Sequence, residues 1–358
     1  GIRIGDALVE HGDWSGPGAT RRVGRDPAVE LAVLEAARGG ILRRGLAADH
    51  ASVAVLTNVS DDHLGDWGVA TVAELARVKR VVAEAVTPNG AVVSNADDPV
   101  LDAELAGWMP SRPDLRWLRY SVRGAPGVDA GVAGVDAWAD RDALHLPDGS
   151  RVSIGGIPLA LGGAARYNVE NALAAAVAAH ALGLSTAAIV AGLAAVRPDP
   201  RDNPGRTNLF AVGGARVLVD YAHNPDGFAR LGDLLDAWAP PGSGVRRLLL
   251  FGQAGDRPDA LVHALGLAAA RFGCARYVLK PLPGYARGRD PSEVVAVLRG
   301  ALRDGGVPDD AITVVADERA GVRAILDALR PGDVASVLVH EDLDGALEEL
   351  AAAGAVPG

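Results

Sequence analysis

Short apolar runs rich in β-branched residues recur along this chain, each bounded by turn residues. Residues 31–34, 53–57, 91–94, 217–219, 247–251, 277–279, 312–315 and 335–339 have the length and composition of buried strands. Between several of them lie Ala/Leu-rich stretches with helical spacing, at 72–85, 169–182 and 260–272. Strands alternating with helices predict largely parallel sheets covered on both faces, because a parallel pair needs a crossover and the crossover helix covers the sheet. The fold class is α/β.

Two interruptions organise the alternation. Between 117 and 161 the chain turns to short alternating pieces with Gly, Asp and Pro, notably 137–146 and 151–154, which predict a small antiparallel excursion. At 197–205 three prolines and a glycine fall within nine residues. Such a stretch neither continues a helix nor sits in a central strand. With 358 residues there is room for two cores, and the predicted division is 1–199 and 200–358.

Composition excludes several classes. No apolar run reaches the roughly 18 uncharged residues a membrane helix needs, and no signal-peptide pattern opens the chain. The net charge of −10, with no Lys/Arg-rich block, argues against a nucleic-acid partner. Cys274 is the single cysteine, so nothing calls for an oxidising compartment, and a cytoplasmic location is expected. The chain opens at Gly1, and its first six residues read as the second half of a hairpin; a piece of a longer protein is expected.

Polar residues gather after several apolar runs, which is where open α/β sheets hold ligands. Glu35 follows residues 31–34 and precedes Arg38-Gly39-Gly40, where two glycines let the backbone approach an anion. An isolated Glu serves equally well as a cap or surface carboxylate. Thr57-Asn58-Val59-Ser60-Asp61-Asp62-His63 collects amide, carboxylate and imidazole groups after the next run. Alone it reads as caps and turns; beside a carboxylate such as Glu35 it reads as a metal site. Lys79 lies sixteen residues further on in a helical stretch, where lysines are ordinarily solvated.

Arg166-Tyr167-Asn168-Val169-Glu170-Asn171 opens an Ala-rich helix. One Asn there suits a cap; a second suggests amides available to read a purine edge. The densest string is Asp220-Tyr221-Ala222-His223-Asn224-Pro225, preceded by Gly205-Arg206. Its Asp suits ribose hydroxyls and its His-Asn pair a nucleotide or an acyl group.

In this order the motifs resemble the Mur ligase superfamily, which includes peptidoglycan amino-acid-adding enzymes and folylpolyglutamate synthases. Within it the cyanophycin-synthetase branch is most similar, through Gly12-Asp13-Trp14-Ser15-Gly16-Pro17, Ala36 to Arg43, Asn95-Ala96-Asp97-Asp98-Pro99, Gly255-Asp256-Arg257 and Arg287-Gly288-Arg289. The resemblance spans nearly the whole chain. It implies a central ATP-binding domain with a mixed, largely parallel sheet, followed by a Rossmann-like C-terminal domain.

By position it implies Glu35 and His63 as Mg²⁺ ligands, and Lys79 as a lysine that relatives carbamylate. Asn168 and Asn171 would lie near adenine, Arg206 near phosphates and Asp220 near ribose. His223, Asn224 and Arg257 would face the acyl phosphate and amine. Lys79, Arg206 and His223 are the catalytic candidates. The implied reaction joins an acyl acceptor, small or peptide-like, to an amino acid at the expense of ATP, with homo-oligomerisation left open.

One departure keeps a second reading alive. No Gly-Lys-Ser/Thr phosphate loop occurs in the chain, so the chain alone is expected to be inactive. A nucleotide-binding module without catalysis is the alternative. A Rossmann oxidoreductase is excluded, because no run is followed by Gly-x-Gly-x-x-Gly and a downstream acid.

Overall fold

The computed structural model describes every residue except Asp6, Asp13, 61–65 and 127–130, together with the side chain of Asp66. His63 therefore lies outside the described residues. The chain divides into two compact units, one of residues 1–156 and 169–193, the other of 157–168 and 194–358.

The first unit opens with a hairpin of β1 (Ile2–Ile4) and β2 (Ala7–Glu10), in which the opening residues are the first strand. Two short helices follow, α1 (Pro17–Val23) and α2 (Arg38–Arg44). Next come β3 (Ala51–Leu56), α3 (Val72–Glu84), β4 (Val86–Asn95), α4 (Pro99–Trp108) and β5 (Arg116–Ser121). The excursion is β6 (Ala137–Ala139), β7 (Ala143–His145) and β8 (Arg151–Ser153), and helices α5 (Arg166–Ala181) and α6 (Thr186–Ala195) come after it.

The six-stranded sheet runs β3-β4-β5-β6-β7-β8, parallel as far as β6 and antiparallel beyond. Its core joins Leu56 and Val92 to Leu75 of α3 and to Leu101 and Leu105 of α4. Residues 31–34 do not form the expected strand. Leu31 and Val33 are 59% and 93% exposed, and β3 pairs only with β4 among the described strands. Four apolar residues adopt a strand only where a neighbour supplies a ladder.

The second unit contains β9 (Asn208–Val212), β10 (Ala215–Asp220), α7 (Pro225–Trp238), β11 (Arg247–Phe251), α8 (Asp259–Ala270) and β12 (Arg276–Leu279). It continues with α9 (Pro291–Asp304), β13 (Ile312–Val314), α10 (Glu318–Ala328), β14 (Val334–Leu338), α11 (Leu343–Ala352) and β15 (Val356–Pro357). The sheet order is β13-β12-β11-β14-β10-β9-β15, with the five strands from β13 to β10 parallel.

Every residue of β11 and β14 is buried, as a strand covered on both faces requires. Alternate residues of β11 divide between two cores. Leu249 and Phe251 pack with Phe228 of α7 and Leu265 of α8, while Leu248 and Leu250 pack with Val322 of α10 and Ala346 of α11. Between β10 and β11 the chain skips a place that β14 fills later. That place is a topological switch point, where a doubly wound sheet opens a crevice at the carboxyl ends of its strands.

Candidate functional site

The carboxyl ends of β10, β11 and β14 lie side by side at this switch point, and Asp220 is the last residue of β10. Asp220 Oδ2 accepts the Thr207 N–H at 2.8 Å, and Oδ1 accepts that of Ala222 at 2.9 Å. Burial pushes the carboxyl above its ordinary range, against the pull of the Thr207, Ala222 and Tyr221 N–H groups and of Arg206. Thr207 is held at φ 55°, a left-handed conformation that costs a β-branched residue about 1–3 kcal/mol, so the Asp220 bond stabilises a strained turn.

Asn168 joins the same network. Its Nδ2 donates to Thr207 Oγ1 at 3.1 Å and to the Leu159 carbonyl at 2.9 Å, and the residue is 4% exposed. Tyr167 hydroxyl meets Thr207 Oγ1 at 3.0 Å. Arg206 is exposed, with its guanidinium carbon 5.4 Å from the centre of the Tyr221 ring. The structure thus brings Asn168, Arg206 and Asp220 together around Thr207. Asn171 lies on the exposed face of α5.

The string after Asp220 is partly structural. Asn224 Oδ1 accepts the Gly227 N–H at 2.8 Å and caps α7, whose first residue is Pro225. His223 is held from two sides. Its Nδ1 lies 3.0 Å from the Tyr221 carbonyl, and its own carbonyl accepts Gln253 Nε2 at 2.8 Å. Arg257 is partly buried beyond β11, with its carbonyl accepting from Arg289 at 3.5 Å.

Three residues of this region escaped sequence reading: Lys280 after β12, Glu318 at the start of α10, and His340 after β14. Lys280 and Glu318 form a buried ion pair, 0% and 3% exposed. Burial pushes the Lys280 ammonium down to about 7, with the Glu341 charge pulling the other way. Lys280 and His340 each follow an apolar run, the same signal that singled out Glu35 and Asp220.

In the first unit, Lys79 projects from α3 and its Nζ donates to the Asn58 carbonyl at 2.8 Å. This places the lysine against the loop that leads toward 61–65. The loop is tied at Val59, whose N–H donates to Asp98 Oδ2 at 2.5 Å, while Asp98 Oδ1 caps α4 through Val100 and Leu101. Buried Asn95 donates to Glu170 at 3.1 Å.

Glu35 is exposed in an extended stretch before α2, not at the end of a strand. Its hard carboxylate oxygens suit Mg²⁺. A lysine ammonium repels a nearby cation, so Lys79 fits such a centre only after its charge is removed, as a carbamate.

The two sheets with their helices define an α/β protein, doubly wound in its second unit. The Mur ligase middle domain matches residues 19–179, and the Mur ligase glutamate ligase domain matches 205–339. The chain belongs to the Mur ligase family. Cyanophycin synthetase of Synechocystis sp. is 36% identical over 358 residues, an alignment covering 97% of this chain. The chain spans 39% of that relative's length.

Two solved structures share the fold. Crystal structure II of MurF from Acinetobacter baumannii matches with a TM-score of 0.61 at 18% identity, over 89% of this chain and 65% of that one. E. coli FolC in complex with DHPP and ADP matches with a TM-score of 0.61 at 20% identity, over 87% and 64%. No helix among the described residues is long and apolar enough to cross a membrane.

Proposed function

We propose that the protein carrying this chain is an ATP-dependent amide ligase of the cyanophycin-synthetase kind, joining an amino acid to a carboxylate through an acyl phosphate. The observation that carries the reading is the Asn168–Thr207–Asp220 network with Arg206 beside it. It gathers an amide, a carboxylate and a guanidinium at a strand end, next to a switch-point crevice. The similarity to cyanophycin synthetase supports the choice of reaction.

In this reading ATP transfers its γ-phosphoryl group to the substrate carboxylate, and an amine then attacks the acyl carbon as the C–O bond to phosphate breaks. Phosphoryl transfer asks the protein chiefly for positioning and charge neutralisation. Arg206 neutralises phosphate charge, Asp220 orients the ribose, and Asn168 and Asn171 meet the base. His223, Asn224 and Arg257 face the acyl phosphate and amine. Glu35 and His63, with Lys79 as a carbamate, would hold Mg²⁺, which when bound would offset the negative charge of the phosphates. Residues 1–199 serve as the ATP-binding domain and 200–358 as the C-terminal domain, in a cytoplasmic enzyme.

The test is phosphate release from ATP and Mg²⁺ with a panel of amino acids and acyl acceptors. Release that depends on the amine supports a ligase and identifies its substrate. Nucleotide binding without release for any pair favours a binding module.

A further inference from the structure

Lys280 and Glu318 are fully buried, yet the reaction above uses neither. Glu318 does more than pair with Lys280. Its Oε2 accepts the His340 N–H at 2.9 Å, and its Oε1 accepts the N–H groups of Glu341 at 3.2 Å and Asp342 at 2.7 Å. One carboxylate therefore fixes the backbone of three successive residues beyond β14. The lone pairs of this buried carboxylate are thus taken up by three N–H donors and by the Lys280 side chain.

The backbone held in this way carries the His340 ring to the loop after β10. His340 Nε2 lies 3.3 Å from the Ala222 carbonyl. A carbonyl only accepts, so Nε2 bears the proton and Nδ1 is the bare nitrogen. Nδ1 is buried and, among the described residues, has no hydrogen-bond partner. The ring packs 5.1 Å from that of Tyr221, which also meets His223 at 5.2 Å and Arg206 at 5.4 Å.

We propose that His340 is a positioning residue for the Asp220-to-Asn224 loop, set in its neutral Nε2–H form by the Glu318 anchor and acting through the Ala222 carbonyl and the Tyr221 ring. The proposal rests on the reading that this loop faces the reactants. Protonating His340 puts a second N–H where no described residue accepts it. The groups around it add to that cost: the Lys280 ammonium beyond β12, and His223 and Tyr221 after β10. Glu318 at the start of α10 is already saturated, and Glu341 and Asp342 lie on its own loop. Burial, Lys280 and His223 accordingly hold the imidazole well below its ordinary pKa.

The decisive experiment follows the histidine side-chain nitrogens by ¹⁵N NMR across pH, with the His340 signals assigned from a His340→Gln variant. The expected result is an Nε2–H tautomer at neutral pH that stays unprotonated as the pH falls well below the usual value of roughly 6.5. An Nδ1–H tautomer, or ordinary titration near 6.5, overturns the proposal whether or not the protein proves to be a ligase.

In the amine-dependent assay, His340→Ala should lower kcat/KM by about tenfold. His340→Gln keeps an N–H near the Nε2 position and should recover most of that loss without the acid limb of the pH profile. Wild-type rates in His340→Ala also overturn the proposal. Absence of ligation in the wild type counts against the reaction and leaves the NMR result to decide the role of His340.

Discussion

Lys79 and Asn58 are joined by a single bond, Nζ to carbonyl oxygen at 2.8 Å, that ties the middle of α3 to the loop after β3. Replacing Lys79 by Ala removes this partly buried hydrogen bond, which by itself costs about 1 kcal/mol. The fold is expected to survive and ATP turnover to be lost. A small carboxylate added to the assay should restore part of it if the wild-type lysine is a carbamate. Turnover equal to wild type in Lys79→Ala removes the lysine from the site.

Asp98 holds three N–H groups, one of them on the Lys79 loop. Asp98→Ala forfeits the cap of α4, worth about 1 kcal/mol, and leaves the Val59 N–H without its acceptor, at a cost of about 1–3 kcal/mol. The denaturation midpoint should fall correspondingly. A midpoint within error of wild type contradicts the bonding described.

Asp220→Ala releases Thr207 from its left-handed turn and takes a carboxylate from the crevice. Calorimetric titration with ADP should show affinity falling by tenfold or more, about 1.4 kcal/mol. Unchanged affinity assigns Asp220 to the turn alone.

The excursion strands carry an acid-sensitive group. Burial raises the Asp140 carboxyl, but the bond to His145 and the N–H groups of Asp142 and Ala143 outweigh it and hold the group at about 2. Its pKa is depressed on folding, so its contribution is present above the ordinary value of about 4 and is lost as pH falls through about 2. Asp140→Asn should flatten the stability–pH curve in that window. An unaltered slope shows that the His145 bond does not form in solution.

Cys274 is buried, and burial pushes its thiol up to about 12. The thiolate is the reactive form, so the native chain should resist alkylation at pH 8 and react fully in denaturant. Rapid native labelling means that Cys274 is exposed in solution.

Much of the fold is legible locally. The run at 247–251 coincides with β11, and 72–85 coincides with α3 to within a residue. Both patterns follow from backbone periodicity and need no partner to be recognised. The Asp220-to-Pro225 string was legible as a dense polar stretch at a strand end, and part of its chemistry caps α7 and holds Thr207. Residues 31–34 have the composition of a strand and fail to form one, because a strand also requires a neighbour.

Covalent geometry acts over a few residues, so the sequence by itself determined where strands and helices alternate, the α/β class and most of the polar strand ends. Which strand ends meet was decided only in three dimensions. β14, the last of the parallel strands in the chain, inserts between β10 and β11 because helices can then cover both faces of one sheet. That order brings His340 to Ala222, 118 residues away, and Glu318 to Lys280, 38 residues away. Contacts at such separations are set by burial and sheet order, and the neighbours of a residue along the chain carry no record of them.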